Sequence, residues 1–103
     1  MKIRVESEKI AKAVKKLDGI EIAVDNPEDA KEAIDLIFRK TDLFSTDVQG
    51  NLKDVLVSAH QKYETSAVNY KTVFQLEFLF EDAVALDTRV SVIKELQQFF
   101  EKV

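Results

Sequence analysis

Few residues in this chain carry reactive chemistry, and their spacing limits what they can do. His60 is the only histidine, and there is no cysteine or tryptophan. The missing thiols exclude disulfides, thiolate metal sites, iron–sulfur clusters and cysteine nucleophiles. A single imidazole argues against a zinc enzyme or a Ser-His-Asp hydrolase. Carboxylates are plentiful, but no metal pattern links them. Glu28, Glu32 and Asp35 follow an i, i+4, i+7 spacing that shares one helix face, yet a di-metal bundle requires Glu-x-x-His pairs and His60 has no Glu three residues before it. The segment Asp42 to Asp47 lacks the spacing of a calcium loop. The two glycines lie 31 residues apart, so no phosphate-cradling loop exists. These residues predict no catalytic site, no metal site and no cofactor.

The elements that hold these side chains must be built from 103 residues with 19 acids and 15 bases, a formal charge of -4. That length predicts one domain over residues 1–103. The charge is polarised. Residues 1–17 hold six bases and two acids, whereas residues 18–35 hold seven acids and only Lys31 as a base. Two such segments either pack side by side or present separate patches to partners. The acidic whole argues against general nucleic-acid binding. The start has no apolar signal region, and the longest apolar run, Ala83 to Leu86, is far too short for a membrane span. The expectation is a cytoplasmic protein without membrane insertion, or one exported without a general secretory signal.

Local signals order the first half. Lys2 to Val5 alternates and predicts an extended segment. Ser7 is a candidate cap for a helix carrying Ile10, Ala13, Val14 and Leu17, which Asp18-Gly19 ends. Ile20 to Val24 reads as a short strand or a connector with Ile20, Ile22 and Val24 inward. Asn26-Pro27-Glu28-Asp29 is a strong helix start: a capping amide, Pro at the first helical position, and acids facing the positive end of the dipole. Apolar positions then recur in steps of three and four from 30 to 78, the amphipathic helix period. A bend is expected between Thr41 and Gly50, with Ser45 or Asp47 capping the helix beyond it. A last helix is expected from Asp87 or Thr88 onward.

After Gly50 there is neither Gly nor Pro in 53 residues, so the spacing predicts one long helix from about 48 to 84, roughly 55 Å at 1.5 Å per residue. Within it, residues 67–86 place Val68, Tyr70, Val73, Phe74, Leu76, Phe78, Leu79, Phe80, Val84 and Leu86 most of the way around a helix. A helix apolar on several sides is covered on several sides. The predicted fold is all-α: a helical hairpin or elongated four-helix bundle with one long central helix and a short extended N-terminal segment. The excess apolar surface predicts a homodimer or a helical partner.

Within that segment Phe78-Leu-Phe-Glu-Asp82 puts an aromatic and an acid one helical turn apart on the same face. Phe38 to Asp42 repeats the step, and Tyr63 to Ala67 ends without the acid. The length, the opening Lys-Ile-Arg-Val and this aromatic-x-x-x-Asp step resemble the small helical WXG-type proteins, especially the companions of LXG toxins in Gram-positive type VII secretion. A Trp-x-Gly turn is missing; Asp47-Val-Gln-Gly50 is the nearest candidate. The resemblance implies a non-enzymatic companion or targeting factor. Such a factor pairs with the helical N-terminal domain of a toxin or with a second small helical protein. It would use Phe78 and Asp82 with Phe74, Phe80 and Tyr70 as the partner-binding or targeting residues. A second reading, from charge alone, is an immunity or antitoxin-like bundle that binds a basic toxin through residues 18–35. A third is a structural protein of a phage or mobile element forming a helical ring.

Overall fold

The computed structural model describes residues 1–40, 43–63 and 70–103; the side chains of 61–63 and 70–71 lie outside the described residues. The element order is β1 (Lys2–Glu6), α1 (Ser7–Asp18), α2 (Pro27–Phe38), α3 (Thr46–Asn51), β2 (Leu52–Tyr63), β3 (Tyr70–Phe80) and α4 (Leu86–Lys102). The strands form one antiparallel sheet in the order β1-β3-β2.

The fold is therefore mixed α and β, and the expected all-α bundle is wrong. The predicted long central helix is instead a β-hairpin, paired from Leu52–Phe80 out to Tyr63–Tyr70. The reason lies in two periods present at once. Positions 52, 55, 59, 63, 70, 74 and 78 fit the helical spacing, but Phe74, Leu76, Phe78 and Phe80 also alternate strictly with Val73, Gln75, Glu77 and Leu79. Strand alternation places the first set on one face. The segment is rich in Val, Phe, Tyr and Thr, which suit a pleated surface. The connection through residues 64–69 contains no Gly or Pro. Gly is demanded chiefly by the tightest hairpin turns, so its lack does not by itself specify a helix.

One sheet face is buried and the other is open. Ile3 and Val5 of β1 stand opposite Leu76 and Phe74 of β3, and Val55 of β2 stands opposite Phe78; all six are buried in one core. A register shift between Leu52 and Asp54 lets Leu52 join that side. The helices contribute Ile10, Ala13 and Val14 from α1, Ala30, Ala33, Ile34 and Ile37 from α2, Val48 from α3, and Val92, Leu96 and Phe100 from α4. Rings link the loop before α3 to the sheet and to α4: Phe38 meets Phe78 edge-on at 6.4 Å, and Phe44 lies 5.2 Å from both Phe38 and Phe99. The open face carries Lys2, Arg4 and Glu6 of β1, Gln75 and Glu77 of β3, and Leu56, Ser58 and His60 of β2.

Most early local signals match the structure more closely, but Ser7 is the first residue of α1 and not its cap; Glu6 takes that position, with no side-chain capping bond. α1 ends where Gly19 adopts a left-handed φ of 70° and its N–H donates to Lys15 O at 2.8 Å. Asn26 caps α2 by accepting from Asp29 N–H at 2.8 Å, with Pro27 at the first helical position. Ser45 caps α3 through Val48 N–H. Residues 20–24 form a connector, not a strand; Val24 is buried and Ile22 half-buried, but Ile20 is 53 % exposed, contrary to its expected inward place. Among the described residues, no helix is long and apolar enough to cross a membrane.

Candidate partner-binding surface

Phe74, Phe78, Phe80 and Asp82, singled out for partner binding, do not share a surface. Phe74 is fully buried at the centre of β3 and Phe78 is 2 % exposed in the same core. Phe80 packs against the core with Arg89 stacked 5.4 Å from its ring centre. Asp82 is exposed in the turn after β3. Tyr70 opens β3, and its side chain lies outside the described residues. The helical face that would present Phe78 with Asp82 does not exist, because Phe78 is in a strand facing inward and Asp82 is past its end. Of the companion step Phe38–Asp42, Phe38 packs on the core and Asp42 lies outside the described residues. His60 is half-buried on the open sheet face opposite Val73.

The acidic stretch has a clearer geometry. Gly19 turns the chain at the end of α1, and the connector then anchors Ile22 and Val24 against the core before Asn26 starts α2. This arrangement packs α1 beside α2 and brings the basic and acidic segments together. Lys15 bonds Glu21 across the connection, and Lys40 meets Asp18 at 2.6 Å. Lys31, the sole base of the stretch, is held by two carboxylates, Asp35 at 2.9 Å on its own helix and Asp54 at 2.7 Å on β2. Burial alone would lower the Lys31 ammonium pKa, but the hydrogen bonds to Asp54 and Asp35 outweigh it and raise the pKa above its ordinary value. The Lys31 hydrogen bond, then the Val55 N–H, hold the Asp54 carboxyl below its ordinary range.

Those contacts use up Asp18, Glu21 and Asp35. Asp25, Glu28, Asp29 and Glu32 have no cation within 4.0 Å among the described residues. Glu28 and Asp29 occupy the first turn of α2, where the dipole favours negative charge. A groove of about 520 Å³ runs between α2 and the connector. Its apolar side is Ile22, Ala33 and Leu36; its rim is Asp29, Glu32 and Asp35, with Arg39 at one end. Carboxylates above a small apolar floor suit Lys or Arg side chains, whose aliphatic stems cover apolar surface while the charged head meets the acids. The sequence indicated the acids; the roles of Ile22, Leu36 and Arg39 required the packing of the connector on α2. Among the described residues, no group of three His, Asp or Glu is placed to hold a metal ion. No protein-family model, curated protein or solved structure matches the chain, so the groove has to be interpreted from its own chemistry.

Proposed function

We propose that this chain is a cytoplasmic, non-enzymatic protein-interaction domain that holds a basic partner along the acidic groove of α2, in the manner of an immunity or antitoxin-like protein. The observation that carries this reading is the pair of carboxylates Asp29 and Glu32, which have no cation within 4.0 Å among the described residues and line an apolar-floored groove. Complementary charge gives such a surface fast association and selectivity for basic partners. The competing reading, a type VII companion, relied on an exposed Phe78–Asp82 helical face, and no observation in the fold favours it.

The test is titration with a short Lys/Arg-rich peptide followed by amide NMR. Shifts should cluster at Ile22, Asp29, Glu32 and Leu36. Affinity should fall at least 10-fold between low salt and about 0.5 M salt, because exposed charges are screened within about a Debye length. Asp29→Lys with Glu32→Lys should abolish the shifts. Binding that survives both the salt and the double substitution would sink the proposal.

A further inference from the structure

β1 is an edge strand of the sheet. Phe78 N–H donates to Met1 O at 3.0 Å. In an antiparallel ladder, bonded positions alternate along the strand. Met1, Ile3 and Val5 therefore bond to β3, and Lys2 and Arg4 turn their N–H and C=O groups to the other edge; Glu6, the N-cap of α1, turns only its N–H there, because its C=O accepts the first bond of the helix. Among the described residues, no strand pairs with that edge. It is also open: a groove of about 220 Å³ runs along Ile3 to Glu6, with Gln97, Phe100 and Glu101 of α4 as its far wall. Lys9 fixes that wall by donating to Phe100 O at 3.2 Å and Glu101 O at 3.3 Å.

We infer that this edge accepts β1 of a second copy, antiparallel, joining two three-stranded sheets into one across a twofold axis at Arg4. The charge order selects this occupant. Charged side chains usually guard a free edge against pairing. Here their sequence, Lys2-x-Arg4-x-Glu6, becomes complementary on reversal. Centred on Arg4, Lys2 of each copy faces Glu6 of the other, twice; the two Arg4 side chains face each other, each with Glu6 and Lys2 of the opposite copy on its two diagonals, so the two Lys2–Glu6 pairs carry the match against one Arg4–Arg4 contact. Glu77, 4.0 Å from Lys2, adds a carboxylate to the same face. Each copy thus brings two cations and two carboxylates to the seam, a balanced patch that suits its own copy better than a peptide of one charge sign. Glu6 already has a contact within its own chain, and a carboxylate has acceptor capacity for another. Shifting the register two residues toward the N-terminus sets Lys2 against Arg4 and loses the match. On the inner side the same pairing sets Ile3 beside Val5 of the other copy, continuing the apolar row. This proposal is independent of the acidic groove, because α2 flanks β2 at the opposite edge of the sheet.

Light scattering across a concentration series up to several hundred micromolar tests it. The wild-type chain is expected to reach twice the monomer mass. Arg4→Pro removes an N–H that only the free edge uses, a position where strands tolerate proline; it should give a monomer with an unchanged circular dichroism spectrum. Glu6→Lys should weaken the dimer at least 10-fold, and Lys2→Glu combined with Glu6→Lys should restore it, which keeps the test sound if the proline variant fails to fold. A wild-type chain that stays monomeric throughout overturns the inference. So does a dimer indifferent to Glu6→Lys.

Discussion

At the scale of single residues, Phe78 and Asp82 show how little sequence spacing says about environment. One is enclosed by Phe38 and the core, the other sits in a turn. Phe78→Ala should cost about 3–5 kcal/mol, the usual range for emptying a buried aromatic site. Asp82→Ala should stay within about 0.5 kcal/mol, as exposed changes do. Urea denaturation of both variants measures the difference. Lys31 and Asp54 predict a pH dependence. Asp54 titrates below its ordinary value of 3.8, so its contribution is present above that value and is lost as pH falls through its lowered pKa. Lys31 titrates above 10.5, so its contribution is present below that value and is lost as pH rises through its raised pKa. Both partners are substantially exposed, so the pair is worth about 0.2–1 kcal/mol. Asp54→Asn should flatten the acid limb of a stability-against-pH curve; an acid limb identical to wild type would assign it to other carboxylates.

At the scale of elements, the helices defined by their own termini were legible in advance. Gly19 ends α1 and Asn26-Pro27 starts α2 because capping depends on a few adjacent residues. β2 and β3 were not legible, because the spacing of their apolar residues fits a helix and the alternation of Phe74 to Phe80 fits a strand. Two backbone positions yield opposite predictions. Gly19 has φ 70°, and no atom lies within 4 Å of the place a methyl group would take. Gly19→Ala should therefore cost about 1 kcal/mol or slightly more through backbone strain alone. Ala83 has φ 64° without glycine's freedom. Ala83→Gly relieves that strain but adds unfolded-state entropy, so a net gain of less than about 1 kcal/mol is expected. Thermal melts of the pair should move in opposite directions.

At the scale of the molecule, the sheet is completed by the strand most distant in sequence. β1 pairs with residues 73–77, while β2 reaches β3 through a local hairpin. Closing the longer loop costs more chain entropy before its contacts form. Val5 is buried opposite Phe74, and Val5→Ala should destabilise by about 1.5–3 kcal/mol. Its effect should fall on the unfolding rate, with a φ-value near about 0–0.3, if the hairpin and helices assemble first. Stopped-flow kinetics read this directly, and a φ-value near 1 would place β1 in the folding nucleus. The candidate binding groove is also a product of this scale. Its acids were visible in residues 18–35, but which of them remain unpaired depends on Lys15, Lys31 and Lys40 reaching Glu21, Asp35, Asp54 and Asp18.

By itself the sequence determined the features that adjacent residues control: an extended start, the end of α1, the start of α2, and a chain divided between basic and acidic segments; for the cap of α3 it left Ser45 and Asp47 open. It could not choose between helix and strand for residues 52–80, because their apolar side chains satisfy both periods. Tertiary structure made that choice. A strand here can share its backbone hydrogen bonds with β1 and bury one face under four helices, while a helix of that length would leave apolar surface uncovered. The same packing turned Phe74 and Phe78 from an expected partner surface into the core, and left the acids of α2 and the edge of β1 at the surface.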